Sequence, residues 1–328
     1  MGQCIWYYSG MRRLLLLLFV VLIVPHLCAA QSFSSGINPQ PTLELQPDYP
    51  SPSQHVKVSF NDYRGGTAGS EINWFYNGNL IPDAQNKREV EVTAPDAGST
   101  ATVKMVLKIG PINETHVVVI KPVYLDIIIE PQTHVPDFYT GRALPSVGSQ
   151  INATALLNSG KQLGTNYIYT WRVNEEVVSG SGMRNQNKIQ FSVPHGSTAS
   201  VSLEVSDYNG VVIASRAVSI PLVKPELHFY EINPLYGVET HAIVGAFSLI
   251  GNGAIIRTEP YYLDSAIFNN PDIINWTINN SPAAPDSSNP YQVSLTRTGN
   301  PGAANLDFRV QSTTQFLQGV KGGIQINI

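Results

Sequence analysis

The sequence predicts an all-β chain of three tandem β-sandwiches. Three observations carry this. A Trp-x-x-Asn unit recurs at about the length of one small domain, and a strictly alternating strand follows each Trp at a fixed distance. No stretch beyond the N-terminal apolar run keeps a helical period.

The N-terminus comes first. Arg12 and Arg13 precede Leu14 to Val24, an unbroken apolar run that Pro25 and His26 end. Cys28-Ala29-Ala30 then places small residues before Gln31. This three-part pattern predicts a secretory signal over residues 1–30. A membrane-spanning helix needs about 20 apolar residues, more than this run has. An uncleaved anchor over 14–27 is the alternative. Lipidation of Cys28 is disfavoured by its Pro25-His26-Leu27 lead-in. Cleavage removes Arg12, Arg13 and both cysteines, Cys4 and Cys28, so the remainder is more acidic than the formal net charge of −4 and has no disulfide to use. Its domains must hold by packing alone. Residues 31–40, "QSFSSGINPQ", read as a mobile leader.

Only 13% of the chain is charged, against about 25% in an average soluble protein. Ser, Thr, Asn, Gly and Pro carry the polar surface instead. Mild acidity disfavours nucleic acid and anionic lipid as partners, since both need clustered Lys and Arg.

The repeats follow. Trp74 stands in "INWFYNGN", Trp171 in "TWRVNEE" and Trp276 in "NWTINNS", 97 and 105 residues apart. Downstream, Val103, Met105 and Leu107 alternate with polar residues, as do Val201, Leu203 and Val205, and Leu306, Phe308 and Val310. Period-2 alternation predicts a sheet with one buried and one wet face. From Trp to the central residue of that strand (Met105, Leu203, Phe308) the spacing is 31, 32 and 32 residues. Upstream, Val58 and Ala155 each precede their Trp by 16 residues, whereas Ala246 precedes Trp276 by 30. Pro41-x-Leu43-x-Leu45, Lys121-Pro122 and Lys224-Pro225 open the three units. Pro suits such junctions because it fixes φ and has no N–H to leave unpaired. Domains are therefore expected over 41–121, 122–223 and 224–328.

Seven or so short strands per unit around one central Trp describe a β-sandwich. Trp74, Trp171 and Trp276 are expected in the cores, with Met105, Leu203 and Phe308. The pattern resembles tandem bacterial immunoglobulin-like or PKD-like surface modules, most closely in "FSVPHGSTASVSLEVSDYNG", residues 191–210. The layout is also similar to exported repeat proteins of candidate-phyla bacteria. In the immunoglobulin pattern a disulfide joins the sheets beside the Trp. That resemblance implies bridge positions near Val58 and Met105, Ala155 and Leu203, and Ala246 and Phe308, here filled by apolar pairs. It implies no ligand residues.

Chemistry is sparse. The histidines after residue 30 show no metal-binding spacing. His195-Gly196-Ser197 is expected to be a turn. Gly251-Asn252-Gly253 and Asp207-Tyr208-Asn209-Gly210 are expected to be hairpin turns. Gly65-Gly66 to Gly69 lacks the Lys of a phosphate loop. No cofactor, metal or catalytic constellation is expected.

Two apparent insertions stand out, "HVPDFYTGRALPSVG" (134–148) and "RTEPYYLDSAIF" (257–268). Loops on sandwich domains carry binding, and Tyr and Arg are favoured anchors. Phe138, Tyr139, Arg142, Arg257, Tyr261, Tyr262 and Phe268 are the candidate partner-binding residues. The competing expectation is that both segments pack on their own domain or close an interdomain joint. The expected function is that of an exported cell-surface structural or adhesive protein without catalysis, whose partner is a surface protein or glycan. A membrane-anchored envelope or appendage component, or a non-catalytic part of a divergent secreted hydrolase, is the alternative.

Overall fold

The computed structural model describes residues 40–64, 69–160, 166–299 and 301–328. The signal, most of the leader and Gly65-Gly66 lie outside the described residues. The described residues fall into two units. The smaller holds Gln40, Pro41 and Asp62–Arg64, in which the Arg64 guanidinium pairs with the Asp62 carboxylate at 2.9 Å. The larger holds every strand.

Within the larger unit, three Ig-like β-sandwiches follow one another. The first contains β1 (Thr42–Gln46), β2 (His55–Asn61), β3 (Glu71–Tyr76), β4 (Asn79–Leu80), β5 (Glu89–Thr93), β6 (Ala101–Ile109) and β7 (Ile112–Ile120). One sheet runs β1-β2-β5 and the other β4-β3-β6-β7. This split is the immunoglobulin-like arrangement.

The second sandwich repeats it with β8 (Tyr124–Pro131), β9 (Gln150–Asn158), β10 (Ile168–Val173), β11 (Glu176–Val177), β12 (Met183–Arg184), β13 (Lys188–Ser192), β14 (Thr198–Ser206) and β15 (Val212–Pro221). Its sheets are β13-β9-β8 and β11-β10-β14-β15, with β12 also on β10.

The third contains β16 (Glu226–Asn233), β17 (Gly237–Val238), β18 (Ala246–Ser248), β19 (Gly253–Tyr261), the short helix α1 (Ser265–Asn269), β20 (Ile273–Ile278), β21 (Ser281–Ala283), β22 (Gln292–Thr296), β23 (Ala303–Gln311) and β24 (Gly319–Asn327). Its sheets are β17-β16-β19-β22 and β18-β24-β23-β20-β21.

Each Trp lies opposite the residue that the spacing pairs with it. Trp74 faces Met105 across β3 and β6, Trp171 faces Leu203 across β10 and β14, and Trp276 faces Phe308 across β20 and β23. All six side chains are buried. Val58 and Ala155 are buried in the opposite sheets of their sandwiches. The indoles differ in their polar edge. Trp74 Nε1 donates to the Lys87 carbonyl at 2.9 Å and Trp276 Nε1 to the Pro290 carbonyl at 3.0 Å. Trp171 Nε1 is buried without a hydrogen-bond partner.

The Asn of each unit has a role that spacing alone does not reveal. Asn77, Asn174 and Asn279 have φ of 48°, 48° and 49°, the left-handed conformation that Asn tolerates. Each side-chain carbonyl then accepts the backbone N–H at the start of the partner strand, from Thr102, Ser200 and Asn305 at 2.8, 2.9 and 2.8 Å. Each Asn N–H donates back to the carbonyl of that same residue. The Asn thus turns the chain out of the Trp strand and clamps the alternating strand in register.

The third sandwich departs from the expected spacing. Ala246 is exposed and lies in β18, which pairs in parallel with β24. Ile256 of β19, in the sheet that faces the Trp276 strand, is fully buried in the same core as Trp276. Part of the extra length is therefore an added edge strand, not a loop within the core. Gly251-Asn252-Gly253 is consequently not a hairpin, since β18 and β19 belong to different sheets and the turn carries the chain from one to the other. Asp207 to Gly210 does close the β14–β15 hairpin, with Asp207 Oδ1 accepting the N–H groups of Asn209 and Val211.

Candidate functional site

The two segments singled out as insertions meet each other. Residues 257–261 are the last part of β19 rather than a loop, and 265–269 form α1. Of the two expectations for 257–268, the packed one describes its tyrosines: Tyr261 and Tyr262 are 7% and 8% exposed. The outer face of β19 is covered by the 133–146 segment of the second sandwich, and a small apolar cluster forms there. It includes Tyr230, Tyr261 and Tyr262 from the third sandwich with Val135, Phe138, Tyr139 and Leu144 from the second. Phe138 meets Tyr230 edge-on at 5.1 Å, and Tyr139 meets Tyr261 edge-on at 5.2 Å.

Hydroxyl pairs line the same cluster. Tyr230 and Tyr261 are joined at 2.8 Å, and Tyr139 and Tyr262 at 3.0 Å. The Tyr139 bond, then burial, pushes the Tyr262 phenol up to about 12. Burial, then the Tyr230 bond, raises that of Tyr261 further, and burial raises Tyr230.

Backbone and polar side chains stitch the joint. Tyr262, at φ 61°, donates its N–H to the His134 carbonyl at 2.7 Å, and the His134 N–H donates to the Leu263 carbonyl at 2.7 Å. A left-handed tyrosine is costly and persists only where its surroundings over-determine it. Here the Ser146 hydroxyl also donates to the Tyr262 carbonyl at 2.6 Å.

Asp264 Oδ1 caps α1 through Ala266 N–H, and its Oδ2 accepts Gln150 N–H from the second sandwich, both at 2.9 Å. Gln318, fully buried, accepts Asp264 N–H on Oε1 and donates from Nε2 to Ser146 Oγ and the Val147 carbonyl.

One charged cluster completes it. His134 Nε2 lies 2.8 Å from Glu259 Oε2, and the His134 ring stacks on Phe268 at 3.5 Å. Arg257 Nε approaches Glu259 Oε1 at 2.5 Å as an ion pair, but the angle does not make a hydrogen bond. Glu259 is fully buried. A buried carboxylate is tolerable only when paired, and these two partners come from different sandwiches. Among the described residues no cluster of His, Cys, Asp and Glu suits a metal ion. No helix of the described residues is long and apolar enough to cross a membrane.

Of the seven candidate residues, the joint gathers Phe138, Tyr139, Arg257, Tyr261, Tyr262 and Phe268, while Arg142 is exposed. The segments were legible as unusual because they hold aromatics out of strand pattern. His134, Glu259, Asp264 and Gln318 were not singled out. The available signal was Glu259, an acid between Ile255-Ile256 and Tyr261-Tyr262-Leu263 with Arg257 two residues before it. Gln318 gives none.

No protein-family model and no curated protein sequence matches the chain. Among solved structures, it is similar to the fibronectin(III)-like modules of CbhA from Clostridium thermocellum, at 13% identity and a TM-score of 0.27, over 55% of this chain and 94% of that one. It is also similar to the three N-terminal domains of the highly immunogenic outer capsid protein of bacteriophage RB49, at 11% identity and a TM-score of 0.24, over 88% of this chain and 98% of that one.

Proposed function

We propose that the protein is an exported, non-catalytic structural array of Ig-like modules at the cell surface, in which the second and third sandwiches act as one stiff body. The observation that carries this is the joint itself. Aromatic and polar side chains that a binding loop would present outward are spent on locking two sandwiches together. Ionic, hydrogen-bonded and aromatic contacts split across a joint resist separation, since parting the sandwiches would take His134 from Glu259, the Asp264 carboxylate from the Gln150 N–H and the aromatic cluster out of contact. Export is supported by the Arg12-Arg13 and Leu14 to Val24 pattern with a cut before Gln31. Contact with a surface protein or glycan would fall on parts other than the 2–3 joint.

Scanning calorimetry of the exported chain tests the mechanical reading. One transition shared by the second and third sandwiches, separate from the first, is expected. Independent melting of the second and third would overturn it. N-terminal sequencing of that product tests the export reading. An N-terminus at Gln31 supports a cleaved signal, and retention of residues 14–27 in the membrane fraction would mean an anchored protein instead.

A further inference from the structure

The joint between the first and second sandwiches is built on a different plan. Glycine meets glycine there. Gly98, between β5 and β6, and Gly160, after β9, have φ of 83° and 70°. A Cβ on Gly98 would lie 2.8 Å from Gly160 Cα, and one on Gly160 would lie 2.3 Å from Gly98 Cα. Two backbones touch here, and a side chain on either would push the sandwiches apart.

Beside this contact is a cleft of about 570 Å³ that both sandwiches line. That is within the roughly 300–1,000 Å³ of small-molecule sites. Tyr49 contributes from the first sandwich and is 38% exposed. Tyr167 contributes from the second, its hydroxyl paired with Ser159 Oγ at 2.9 Å. Asp48, Asp207 and Lys121 are the charged groups of the lining. Asp207 is held in place by the two backbone N–H groups on its Oδ1.

We propose that this cleft is a binding site for a neutral saccharide. The lining sets three requirements at once. Two carboxylates against one ammonium repel phosphate and other anions. A purely hydrocarbon ligand would take water from both carboxylates and offer neither a hydrogen-bond donor in return, which is costly. Tyrosine from both sides calls for a ligand with flat apolar faces. A neutral sugar ring meets all three, because its C–H face packs on an aromatic ring while its hydroxyls donate to carboxylates. Position adds a reason. The ligand would touch both sandwiches, so occupancy would add to the Gly98–Gly160 contact and the Val123 N–H to Pro50 carbonyl bond at 3.3 Å in fixing their angle.

The test is calorimetric titration of the exported chain with neutral hexasaccharides of β-1,4-glucose, α-1,4-glucose, β-1,4-xylose and β-1,4-mannose. A heparin hexasaccharide and a lysine-rich peptide serve as charged comparators. Binding of at least one neutral hexasaccharide is expected. Tyr49→Ala and Asp48→Asn, both at exposed positions, should each weaken it by about tenfold or more, equivalent to about 1.4 kcal/mol, with an unchanged melting profile. No heat with any neutral hexasaccharide would overturn the proposal. So would binding that Tyr49→Ala leaves intact, or binding confined to the heparin fragment or the peptide.

Discussion

Asp264 and Gln150 are bonded across two sandwiches: the carboxylate Oδ2 of one accepts the backbone N–H of the other at 2.9 Å. The same carboxylate caps α1, so one buried side chain both starts a helix and fastens a neighbouring domain.

Asp264→Ala is therefore expected to destabilise the second and third sandwiches together. Stranding the Gln150 N–H costs about 1–3 kcal/mol, and losing the cap about 1 kcal/mol more. Urea denaturation measures this. A loss below about 0.5 kcal/mol, the usual range of neutral surface changes, would mean that the bond is dispensable.

The three tryptophans should respond unequally. Trp171→Ala should cost about 3–5 kcal/mol as a core truncation. Substitution by Phe separates the indole N–H from the ring volume. Trp74→Phe strands the Lys87 carbonyl, whereas Trp171→Phe removes a buried donor that has no partner. Trp74→Phe should then be the more destabilising by about 1 kcal/mol. Equal losses in chemical denaturation would argue against this distinction.

Asn174 offers a graded test of the turn. Asn174→Gly keeps the left-handed conformation and loses only the bond to Ser200 N–H, an expected cost of about 1 kcal/mol. Asn174→Ala also pays for a left-handed non-glycine residue, roughly 1 kcal/mol more. Stability measured for both should rank native above Gly above Ala. The reverse order for the two variants would show that conformation, not the clamp, is the minor part.

Alkaline pH should loosen the 2–3 joint. The folded state holds the Tyr262 phenol at about 12 and those of Tyr230 and Tyr261 above their ordinary value. Unfolded tyrosine ionises near 10. Because the folded values are raised, their contribution is whole below pH 10 and is lost as pH rises from there through the folded values. Urea midpoints from pH 9 to 12 should fall, and Tyr262→Phe should flatten the fall. An unchanged slope in that variant would remove Tyr262 from the explanation.

Sequence alone determined the repeat and its cores. Period-2 alternation and the Trp-to-strand spacing are local and nearly invariant from unit to unit, because a sandwich core demands one large residue opposite a fixed partner. The pairs Trp74–Met105, Trp171–Leu203 and Trp276–Phe308 therefore follow from counting along the chain. Tertiary structure alone decided what the irregular segments do. Residues 134–148 and 257–268 have the composition of binding loops, and composition does not distinguish an aromatic that awaits a partner from one that already has it. Glu259 is buried between two partners, and one of them, His134, lies 125 residues away in the chain. Gln318 joins Ser146 across 172 residues with no periodic signal at either end. Such contacts depend on how one finished sandwich docks on the next, a geometry that neither local propensity nor spacing encodes.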